Sequence, residues 1–550
     1  MPEPELFPRP ASRLRDLVTS ADQRRRFVSS GQWTGVTLAE RIDVHARRQP
    51  GSTAVVDSRG NRRVSFARLH DDVDSLGREL RAAGVRAGDV VSIQLPNCYE
   101  AVVFAAATQA LGGVINPLLP SYRAREIGHV YATARPALHV TTRDGLSHMA
   151  DAADAVDHRP VQVVIEPGSE RSQGEWLGGA TTATLGSSAD PIDPTPIGER
   201  VSEVIFTSGT EATPKAVMHT ENTANFSVRV AHQWLGLDST DSVWMPSPVG
   251  HSTGFNYGVR FALYHGMKLV LQDAWNASEA VRLLEAERCT YTLAATTFLQ
   301  DLVRLATERR VDLSFLRAFG CGGAPVPEAL VEAAERVGIT VLRLYGATEF
   351  LVATWNTARA TAAQRGATDG NALTGVEVTV RDEVGRDCEV GQPGEVVVRG
   401  PNTCVGFFAD PDRTAATFDS DGWCRSGDLG VFDADGYLSI VGRKKDMIIR
   451  GGLNIAPREI EDALVAFPEV WQAAVVGVAH ERLGERACAC VVLQPGSSID
   501  LVTVTERLTE QGFAKYKLPE SLQVFDQFPM TASGKVQKHE LRAMLAGDHV

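Results

Sequence analysis

The residues that most clearly suggest chemistry are 206–217, which read FTSGTEATPKAV. They combine hydroxyl side chains, a glycine and a lysine, namely Thr207, Ser208, Gly209, Thr210 and Lys215. Backbone N–H groups and hydroxyls in such a loop can surround an anion, and the lysine adds a full positive charge. The pattern therefore predicts a phosphate-binding loop, although a solvated turn rich in Ser, Thr and Gly accounts for the same residues.

The loop is one of five motifs that occur in a fixed order along the chain. It is not a Walker A motif, because Pro214 stands where that motif has a glycine before its lysine. The other motifs are LYGATEF (344–350), RSGDLG (425–430), YLSIVGRKKDMIIRGGLNI (437–455) and TASGKVQKHELR (531–542). In order and spacing, the five motifs resemble those of the adenylate-forming superfamily, which includes acyl-CoA synthetases, adenylation domains of peptide synthetases and luciferases. The resemblance extends from about residue 35 to about residue 545.

Within the superfamily, the chain is most similar to bacterial acyl-CoA ligases for cyclohexanecarboxylate and related acids. The closer likeness lies in NPLLPSYRAREI, SPVGHSTGFNYG and VLQDAW. It implies a ligase that uses ATP, Mg²⁺ and coenzyme A, and that makes an acyl-adenylate before the CoA thioester. A ligase that passes the acyl group to a carrier protein or an amine is the alternative. A non-catalytic nucleotide-binding relative would be favoured by loss of Lys535 or Glu349, and both residues are present.

The resemblance implies how the motif residues bind the triphosphate and the metal. The loop residues would hold the β- and γ-phosphates. Thr348 would contact the α-phosphate, and Glu349 would give Mg²⁺ a hard oxygen ligand. Together, donors, lysine and metal would offset the repulsion between a carboxylate and the polyanionic ATP.

The nucleoside is expected to lie among residues of three further segments. Adenine would stack on Tyr345, in the motif that also holds Gly346 and Ala347. The opposite wall would be formed by Gly323, Ala324 and Pro325. Asp428 offers two acceptor oxygens to the ribose hydroxyls, and Arg443 would support the ribose and the phosphate.

Lys535 is the residue expected to drive adenylation, because an ammonium can bridge the carboxylate oxygen and the α-phosphate as charge builds up. The resemblance divides the chain into a large domain (1–442), a hinge (443–446, with Lys445) and a small domain (447–550). Rotation of the small domain would carry Lys535 away and bring Gly452 to the pantetheine tunnel, where a residue without Cβ lets a chain pass close to the backbone. An ordinary turn is the alternative for Gly452.

The acid pocket is expected around residues 242–259, which contain no Asp, Glu, Lys or Arg. Such a composition suits an apolar acid, since an amino-acid substrate would leave its ammonium without a partner. His251 matches the pocket histidine of the family, near the substrate carboxylate. The candidate walls, whose glycines would leave room for a bulky ring, are Gly254, Phe255, Gly258, Thr297 and Phe298.

The phosphate loop departs from the family pattern at Glu211, Ala212 and Ala216. An acid beside a triphosphate is repulsive unless it points away or helps to bind the metal. The departure leaves the role of Glu211 and the backbone path of the loop open.

Composition sets the frame for these motifs. The 550 residues are 43% hydrophobic and 22% charged, with a net charge of -13, which predicts folded cores and argues against general nucleic-acid binding. The eight cysteines form no C-x-x-C pair, and the N-terminus lacks an apolar signal segment. We therefore expect a cytoplasmic enzyme without a transmembrane segment. Partners left open are a second copy of the chain, as a homodimer, and a separate carrier protein.

The elements that must position the motifs alternate between helix and strand. Apolar spacing predicts helices over 66–83 and 99–111 around a buried strand at 89–97, which indicates a parallel sheet. Residues 168–200 are expected to form a long surface connection. A β-rich section precedes residue 442, and a compact α+β unit follows it. The fold class is therefore α/β, with a large N-terminal domain of layered α/β subdomains plus a β-rich section, and a small, mobile α+β C-terminal domain.

Overall fold

The computed structural model describes residues 18–59, 61–169, 175–177, 196–207, 214–323, 326–531 and 535–547. Its strands form sheets of nine, six, four and five strands. The five-stranded sheet is built entirely from strands after residue 447, and the other three sheets precede it. The expected α/β class, with a small C-terminal α+β unit, is confirmed.

The six-stranded sheet has the order β6-β5-β3-β4-β7-β8. Its strands are β3 (Val90–Gln94), β4 (Val114–Pro117), β5 (Leu138–Thr142), β6 (Val161–Ile165), β7 (Val201–Thr207) and β8 (Lys215–Thr220). All pairs are parallel except β7 with β8, which form an antiparallel hairpin. The predicted phosphate loop connects the two strands of this hairpin.

The nine-stranded sheet has the order β15-β14-β13-β12-β11-β9-β10-β1-β2. Its strands are β1 (Thr53–Asp57), β2 (Arg62–Ser65), β9 (Ser242–Met245), β10 (Lys268–Leu271), β11 (Tyr291–Ala294), β12 (Ala318–Cys321), β13 (Val341–Ala347), β14 (Leu351–Trp355) and β15 (Asn371–Ala372). The centre is parallel, while β13 and β14 run antiparallel. The LYGATEF motif lies at the turn between β13 and β14.

The two remaining sheets lie on either side of the predicted hinge. The antiparallel β-rich section consists of β16 (Glu377–Arg381), β17 (Gly394–Arg399), β18 (Cys424–Phe432) and β19 (Leu438–Arg443). The last sheet contains β20 (Ile448–Arg450), β21 (Leu453–Ile455), β22 (Val470–His480), β23 (Gly484–Leu493) and β24 (Ser521–Phe525). Cys488 and Cys490 face one core from β23, because residues two apart on a strand share a face.

The described helices cover the sheets and agree closely with the expected segments. They are α1 (Ala21–Ser29), α2 (Leu38–Arg48), α3 (Phe66–Ala82), α4 (Tyr99–Ala110), α5 (Ala124–Ala134), α6 (Leu146–Ala155), α7 (Glu221–Leu235), α8 (Ser252–Gly254), α9 (Phe261–His265), α10 (Ala277–Glu287), α11 (Thr296–Arg309), α12 (Glu328–Arg336), α13 (Ala362–Ala367), α14 (Pro411–Thr417), α15 (Pro457–Val465), α16 (Leu501–Glu510) and α17 (Lys538–Gly547). A π-helical segment, Phe255–Arg260, joins α8 to α9. None of these helices is long and apolar enough to cross a membrane.

The small C-terminal unit has hydrophobic cores of its own. One core lies under α15 and α16, and the other lies under α17, and the buried members of both come from residues after 447. The buried clusters before the join are built from residues of the large unit. A unit with its own core can keep its structure while its orientation changes.

Most of the predicted surface connection 168–200 falls outside the described residues. Trp176, which the structure does describe, is an exception to the expectation, because it is 1% exposed. Its ring packs near those of Tyr99 and Phe104 on α4. A large aromatic residue in a polar stretch is therefore an anchor for the connection here.

Candidate active site

The hairpin of β7 and β8 places the ends of the predicted phosphate loop side by side. Thr207 and Lys215 are paired in the strand register. The Lys215 Nζ atom lies 3.5 Å from Glu349 Oε1, so the hairpin faces the turn after β13. The loop residues Ser208, Gly209, Thr210, Glu211 and Ala212 lie outside the described part of the chain.

The turn between β13 and β14 holds Thr348 and Glu349 through bonds to its backbone carbonyls. His219 Nε2 lies 2.7 Å from the Thr348 carbonyl oxygen. Cys404 N donates to the Glu349 carbonyl at 2.7 Å, and Asn402 Nδ2 donates to the Phe350 carbonyl at 2.6 Å. These donors come from β8 and from the segment before α14, so two parts of the large unit fix the same turn.

The backbone of this turn is strained at one residue and has no room for a side chain at another. Leu351 has a φ of 54°, in the left-handed region that costs a branched residue free energy. A Cβ on Gly346 would lie 2.2 Å from the Leu351 carbonyl oxygen, so only glycine fits there. Ala347, between them, accepts a bond from Phe350 N at 3.3 Å. Such strain persists only where the surroundings over-determine the conformation, as the four anchoring bonds do here.

Tyr345, Asp428 and Arg443 form one hydrogen-bonded group. The Tyr345 hydroxyl donates to Asp428 Oδ2 at 2.9 Å, and Arg443 Nε lies 3.1 Å from Asp428 Oδ1. Burial, together with the Asp428 charge, raises the pKa of Tyr345 far above its ordinary value, so the phenol stays protonated. The structure thus brings together three residues that the sequence predicted around one nucleoside.

Lys535 reaches this group from the small unit. A Cβ added to Gly323, which has a φ of 76°, would lie 3.3 Å from Lys535 Cε, so the lysine stem passes directly over that glycine. Loss of hydration and the nearby Arg443 lower the pKa of Lys535 to about 8, while Asp428 and Glu349 act in the opposite direction. The ammonium therefore shares one environment with residues of the large unit. Ala324 and Pro325, the other predicted wall residues, are not among the described residues.

His251 begins α8 and faces the same site. Its Nδ1 accepts a bond from Thr253 N at 3.2 Å, which caps the helix. Burial, followed by the charge of Lys535, lowers the pKa of His251 to about 4. The imidazole is therefore neutral near pH 7. Because Nδ1 acts as an acceptor, the ring proton lies on Nε2.

Glycine occupies two positions of the predicted pocket for a different reason from the one expected. A Cβ on Gly254 would lie 2.1 Å from the Pro248 carbonyl oxygen, and one on Gly258 would lie 2.6 Å from Met245 Cγ. The chain itself fills the space into which a Cβ of either glycine would point. The expectation that the missing Cβ atoms leave room for a bulky ring is therefore wrong. Phe255 is buried within the π-helical segment.

The other two predicted wall residues lie at the start of α11. Thr297 is half-buried in the first turn. The Phe298 ring packs edge-on against Trp275, with 4.6 Å between centroids. Trp275 is in turn fixed by a bond from its Nε1 to Asp301 Oδ2 at 2.8 Å. Phe298 is therefore held by neighbours on α11 and on the segment before α10.

The predicted hinge residue and the predicted tunnel residue are both exposed. Lys445 is exposed in a 3₁₀ turn, Lys444–Asp446, directly after β19. Gly452 is exposed at the turn between β20 and β21, with a φ of 84° and nothing within 4 Å of an added Cβ. In this orientation Gly452 therefore occupies an ordinary turn, which is the alternative given for it.

Three residues of the site were missed by the sequence reasoning, namely His219, Tyr257 and Arg260. Arg260 directly follows the uncharged run 242–259 and is fully buried, where it pairs with Glu203 at 3.0 Å and with Glu221 at 2.8 Å. The signal available in the sequence was one arginine directly after an uncharged run, because a charge that is buried needs partners. His219 and Tyr257 gave no comparable signal, since their bonds join distant segments.

The residues present fit Mg²⁺ and ATP. Glu349 offers a carboxylate beside Lys215, and among the described residues no group of three His, Cys, Asp or Glu side chains could hold a metal. Mg²⁺ is commonly bound by one or two carboxylates together with substrate phosphates and water, which is the arrangement that a lone Glu349 suits. Lys215, Lys535 and Arg443 are cations of the kind that would bind a triphosphate.

Comparison with known proteins gives consistent results along the chain. A model of the AMP-binding enzyme family matches residues 42–408, and a model of the AMP-binding enzyme C-terminal domain matches residues 459–535. The medium-chain fatty-acid–CoA ligase of Escherichia coli (strain K12) is 36% identical, over 96% of this chain and 94% of that protein. The 2-hydroxy-7-methoxy-5-methyl-1-naphthoate–CoA ligase of Streptomyces carzinostaticus is 32% identical, over 95% of each chain.

Comparison with a solved structure points to the same family. The amide bond synthetase McbA from Marinactinospora thermotolerans superposes with a TM-score of 0.80 and 30% identity, covering 92% of this chain and 99% of that one. The resemblance to adenylate-forming enzymes is confirmed by the family models, the relatives and this fold. The chain belongs to the AMP-binding enzyme family.

Proposed function

We propose that this enzyme is an AMP-forming acyl-CoA ligase for an apolar carboxylic acid of the alicyclic, aliphatic or polycyclic class. The observation that carries the proposal is the position of Lys535, which comes from the small unit and packs over Gly323. There it lies within electrostatic range of Glu349 and Asp428. A cation delivered to such a group suits the joining of a carboxylate to a phosphate.

In the first step, a carboxylate oxygen of the acid attacks the α-phosphorus of ATP, and pyrophosphate leaves with the electrons of the broken P–O bond. Thr207, Lys215 and the loop between them bind the β- and γ-phosphates. Thr348 contacts the α-phosphate, and Lys535 neutralises the charge that develops between acid and phosphate. Tyr345, Asp428 and Arg443 hold the nucleoside, so the reacting atoms meet in a fixed orientation.

Mg²⁺ bound through Glu349 and the phosphates would supply charge neutralisation for the departing pyrophosphate. The neutral His251 lies within electrostatic range of Lys535, and its Nε2–H is the donor that would serve the acid carboxylate. A neutral imidazole donates a hydrogen bond without competing with Lys535 for the negative charge. Its lowered pKa keeps this state through the physiological range.

In the second step, the thiol of CoA attacks the acyl carbon, AMP leaves with the electrons of the acyl–oxygen bond, and the thiol proton passes to solvent. This step requires Lys535 to leave and Gly452 to approach. A rotation about Lys445 would exchange them, and the separate cores of the small unit allow such a motion.

The acid class rests on the apolar character of the pocket segments and on the relatives. The two charged residues that flank the run 242–259 are both paired within the protein. Arg260 is paired with Glu203 and Glu221, and Asp241 is paired with Arg317 at 2.6 Å, so neither offers an unpaired charge to a substrate. Relatives at 32–36% identity are named as ligases for a medium-chain fatty acid and for a substituted naphthoate. Both are carboxylic acids with an apolar body.

Transfer to an amine is the second candidate, and it is favoured by the likeness to an amide bond synthetase. The same adenylation step serves either acceptor. The two candidates differ only in whether a thiol or an amine attacks the acyl carbon.

A pyrophosphate-release screen tests the proposal. Aliphatic, alicyclic, aromatic and polycyclic acids are supplied with ATP and Mg²⁺, each with CoA, with an amine, or with neither. Apolar acids are expected to release pyrophosphate and to yield the CoA thioester by mass spectrometry. Amide formation without thioester would establish the second candidate, and lack of acid-dependent release with every acid would refute both.

A further inference from the structure

The π-helical segment Phe255–Arg260 connects the predicted acid pocket to both parts of the predicted ATP site. π-helices are rare, and they occur frequently at functional sites. The segment begins at Phe255, contains Gly258 and is buried throughout. It follows His251 by a few residues, so it lies beside the place where an acid carboxylate would meet Lys535.

Tyr257 connects this segment to the turn that carries Thr348 and Glu349. Its hydroxyl accepts a bond from Val352 N at 2.8 Å and lies 2.6 Å from Ser227 Oγ. Because the phenol oxygen accepts from the amide, its own proton is available for the serine. Val352 directly follows the strained Leu351, so the Tyr257 bond fixes the residue at which the turn returns to the strand.

Arg260 connects the other end of the segment to the hairpin of the phosphate loop. Its Nη2 lies 3.0 Å from Glu203 Oε2 on β7, and its Nη1 lies 2.8 Å from Glu221 Oε2 at the start of α7. These carboxylates lie at the base of the hairpin, where the chain enters β7 and leaves β8. One guanidinium therefore holds both ends of the element that carries Thr207 and Lys215.

We propose that the segment Phe255–Arg260 couples binding of the acid to binding of ATP, with Tyr257 and Arg260 as positioning residues. An acid bound beside His251 restrains the segment through the bond from Phe255 N to the His251 carbonyl, at 2.9 Å. The bonds of Tyr257 and Arg260 then restrain Glu349 and Lys215. The inference rests on the proposed function, because it requires that acid and ATP occupy adjacent sites. Coupling of this kind is reciprocal, so ATP also tightens the binding of the acid.

Tyr257→Phe tests the proposal, because it removes one hydroxyl and leaves the ring in place. The affinity of an ATP analogue with a methylene between its α- and β-phosphorus atoms is measured by calorimetry in the presence of Mg²⁺. Titrations are made with and without a saturating acid taken from the screen. The wild type is expected to bind the analogue at least about fivefold more tightly with the acid present. Tyr257→Phe is expected to lower that ratio by at least about twofold, toward the value of 1 that marks loss of coupling, because a buried hydrogen bond contributes about 0.5–1.5 kcal/mol.

Tyr131→Phe is the matched control, because it also removes one buried phenol hydroxyl, which lies 2.7 Å from His139 Nδ1 on β5, three strands away from β7. It should keep the wild-type ratio. Ser227→Ala, which removes the second partner of Tyr257, should lower the ratio in the same direction and serves if Tyr257→Phe folds poorly. The ratio is measured on folded protein, so a loss of stability alone does not change it.

The proposal is overturned if the wild type shows no coupling, if Tyr257→Phe keeps the wild-type ratio, or if Tyr131→Phe loses it equally. Failure of the proposed function is a separate result, since it appears in the wild type as absence of acid-dependent pyrophosphate release. A wild type that releases pyrophosphate but shows no coupling would therefore refute this inference alone.

Discussion

Replacement of Lys535 by arginine should change the pH dependence of adenylation in a way that identifies the lysine as the titrating group. Burial and Arg443 lower the pKa of Lys535 to about 8, whereas a free lysine titrates above pH 10. The ammonium is present below that pKa and is lost as the pH rises through it. In the wild type, kcat/KM for ATP should be constant near pH 7 and fall to about one tenth by pH 9, because about one enzyme in ten then keeps the proton.

The assay is acid-dependent exchange of labelled pyrophosphate into ATP, measured between pH 6.5 and 10. Because kcat/KM reports the free enzyme, the phosphates of bound ATP do not shift the titration, whereas in kcat they should move it upward. Tyr345 does not titrate in this range, since its pKa is raised further. Arginine stays charged throughout, so Lys535→Arg should be slower but should lack the decline above pH 8.

Two results would refute this reasoning. The first is a wild-type profile that stays flat to pH 10, which would mean that no cation with a pKa near 8 is needed. The second is an unchanged decline in Lys535→Arg, which would assign the titration to another group. Folding is followed at each pH by circular dichroism, so that unfolding is not mistaken for titration.

Four further predictions follow from the same structure. Lys535→Ala should lower pyrophosphate exchange by about 10²–10³-fold while leaving thioester formation from supplied acyl-AMP unchanged. Lys445→Pro should spare the exchange and slow thioester formation. Gly254→Ala should destabilise the protein by about 1–3 kcal/mol or more, measured by urea unfolding, because its Cβ would lie 2.1 Å from the Pro248 carbonyl oxygen. Burial lowers the pKa of His265 to about 3, so the free energy of unfolding should fall by up to about 2 kcal/mol as the pH falls from 7 to 5. The accompanying decline in Tm should be flatter in His265→Gln.

Each of these predictions has an outcome that contradicts it. Equal loss of both half-reactions in Lys535→Ala would remove the separation of roles, and an unaltered Lys445→Pro would exclude that residue as the hinge. Gly77→Ala is the control for Gly254→Ala, because nothing lies within 4 Å of its added Cβ, and it should not destabilise. The sign for His265 follows from its lowered pKa, since the unfolded chain binds the proton between pH 6.5 and 3 and the folded chain does not. A Tm that rises toward pH 5 would contradict it.

The sequence was sufficient for features that depend on local pattern or on a contiguous motif. Apolar spacing located α3 and α4 within one residue at each end, and the predicted strand at 89–97 contains β3. The motifs identified Tyr345, Asp428 and Arg443, which the structure brings into one bonded group. Local pattern suffices there because a helix or a short motif contains its own determinants.

Features that join distant segments could not be obtained in this way. His219 contacts a carbonyl 129 positions away, and Tyr257 bonds an amide 95 positions away. No short-range periodicity encodes such pairs. The role of the pocket glycines could not be read from sequence either, because whether a missing Cβ serves a ligand or the chain depends on how neighbours such as Pro248 and Met245 fold back against them.

The independent cores of the C-terminal unit have a consequence for how this enzyme can be altered. Because α15, α16 and α17 bury apolar faces within their own unit, reorienting the unit leaves these cores intact. The same argument applies to exchange of the C-terminal unit between homologues. A foreign unit would need to match the docking surface and to place its lysine at the position of Lys535. The predicted acid pocket and most of the predicted nucleotide site would stay with the large unit in such an exchange, while the small unit would supply Lys535.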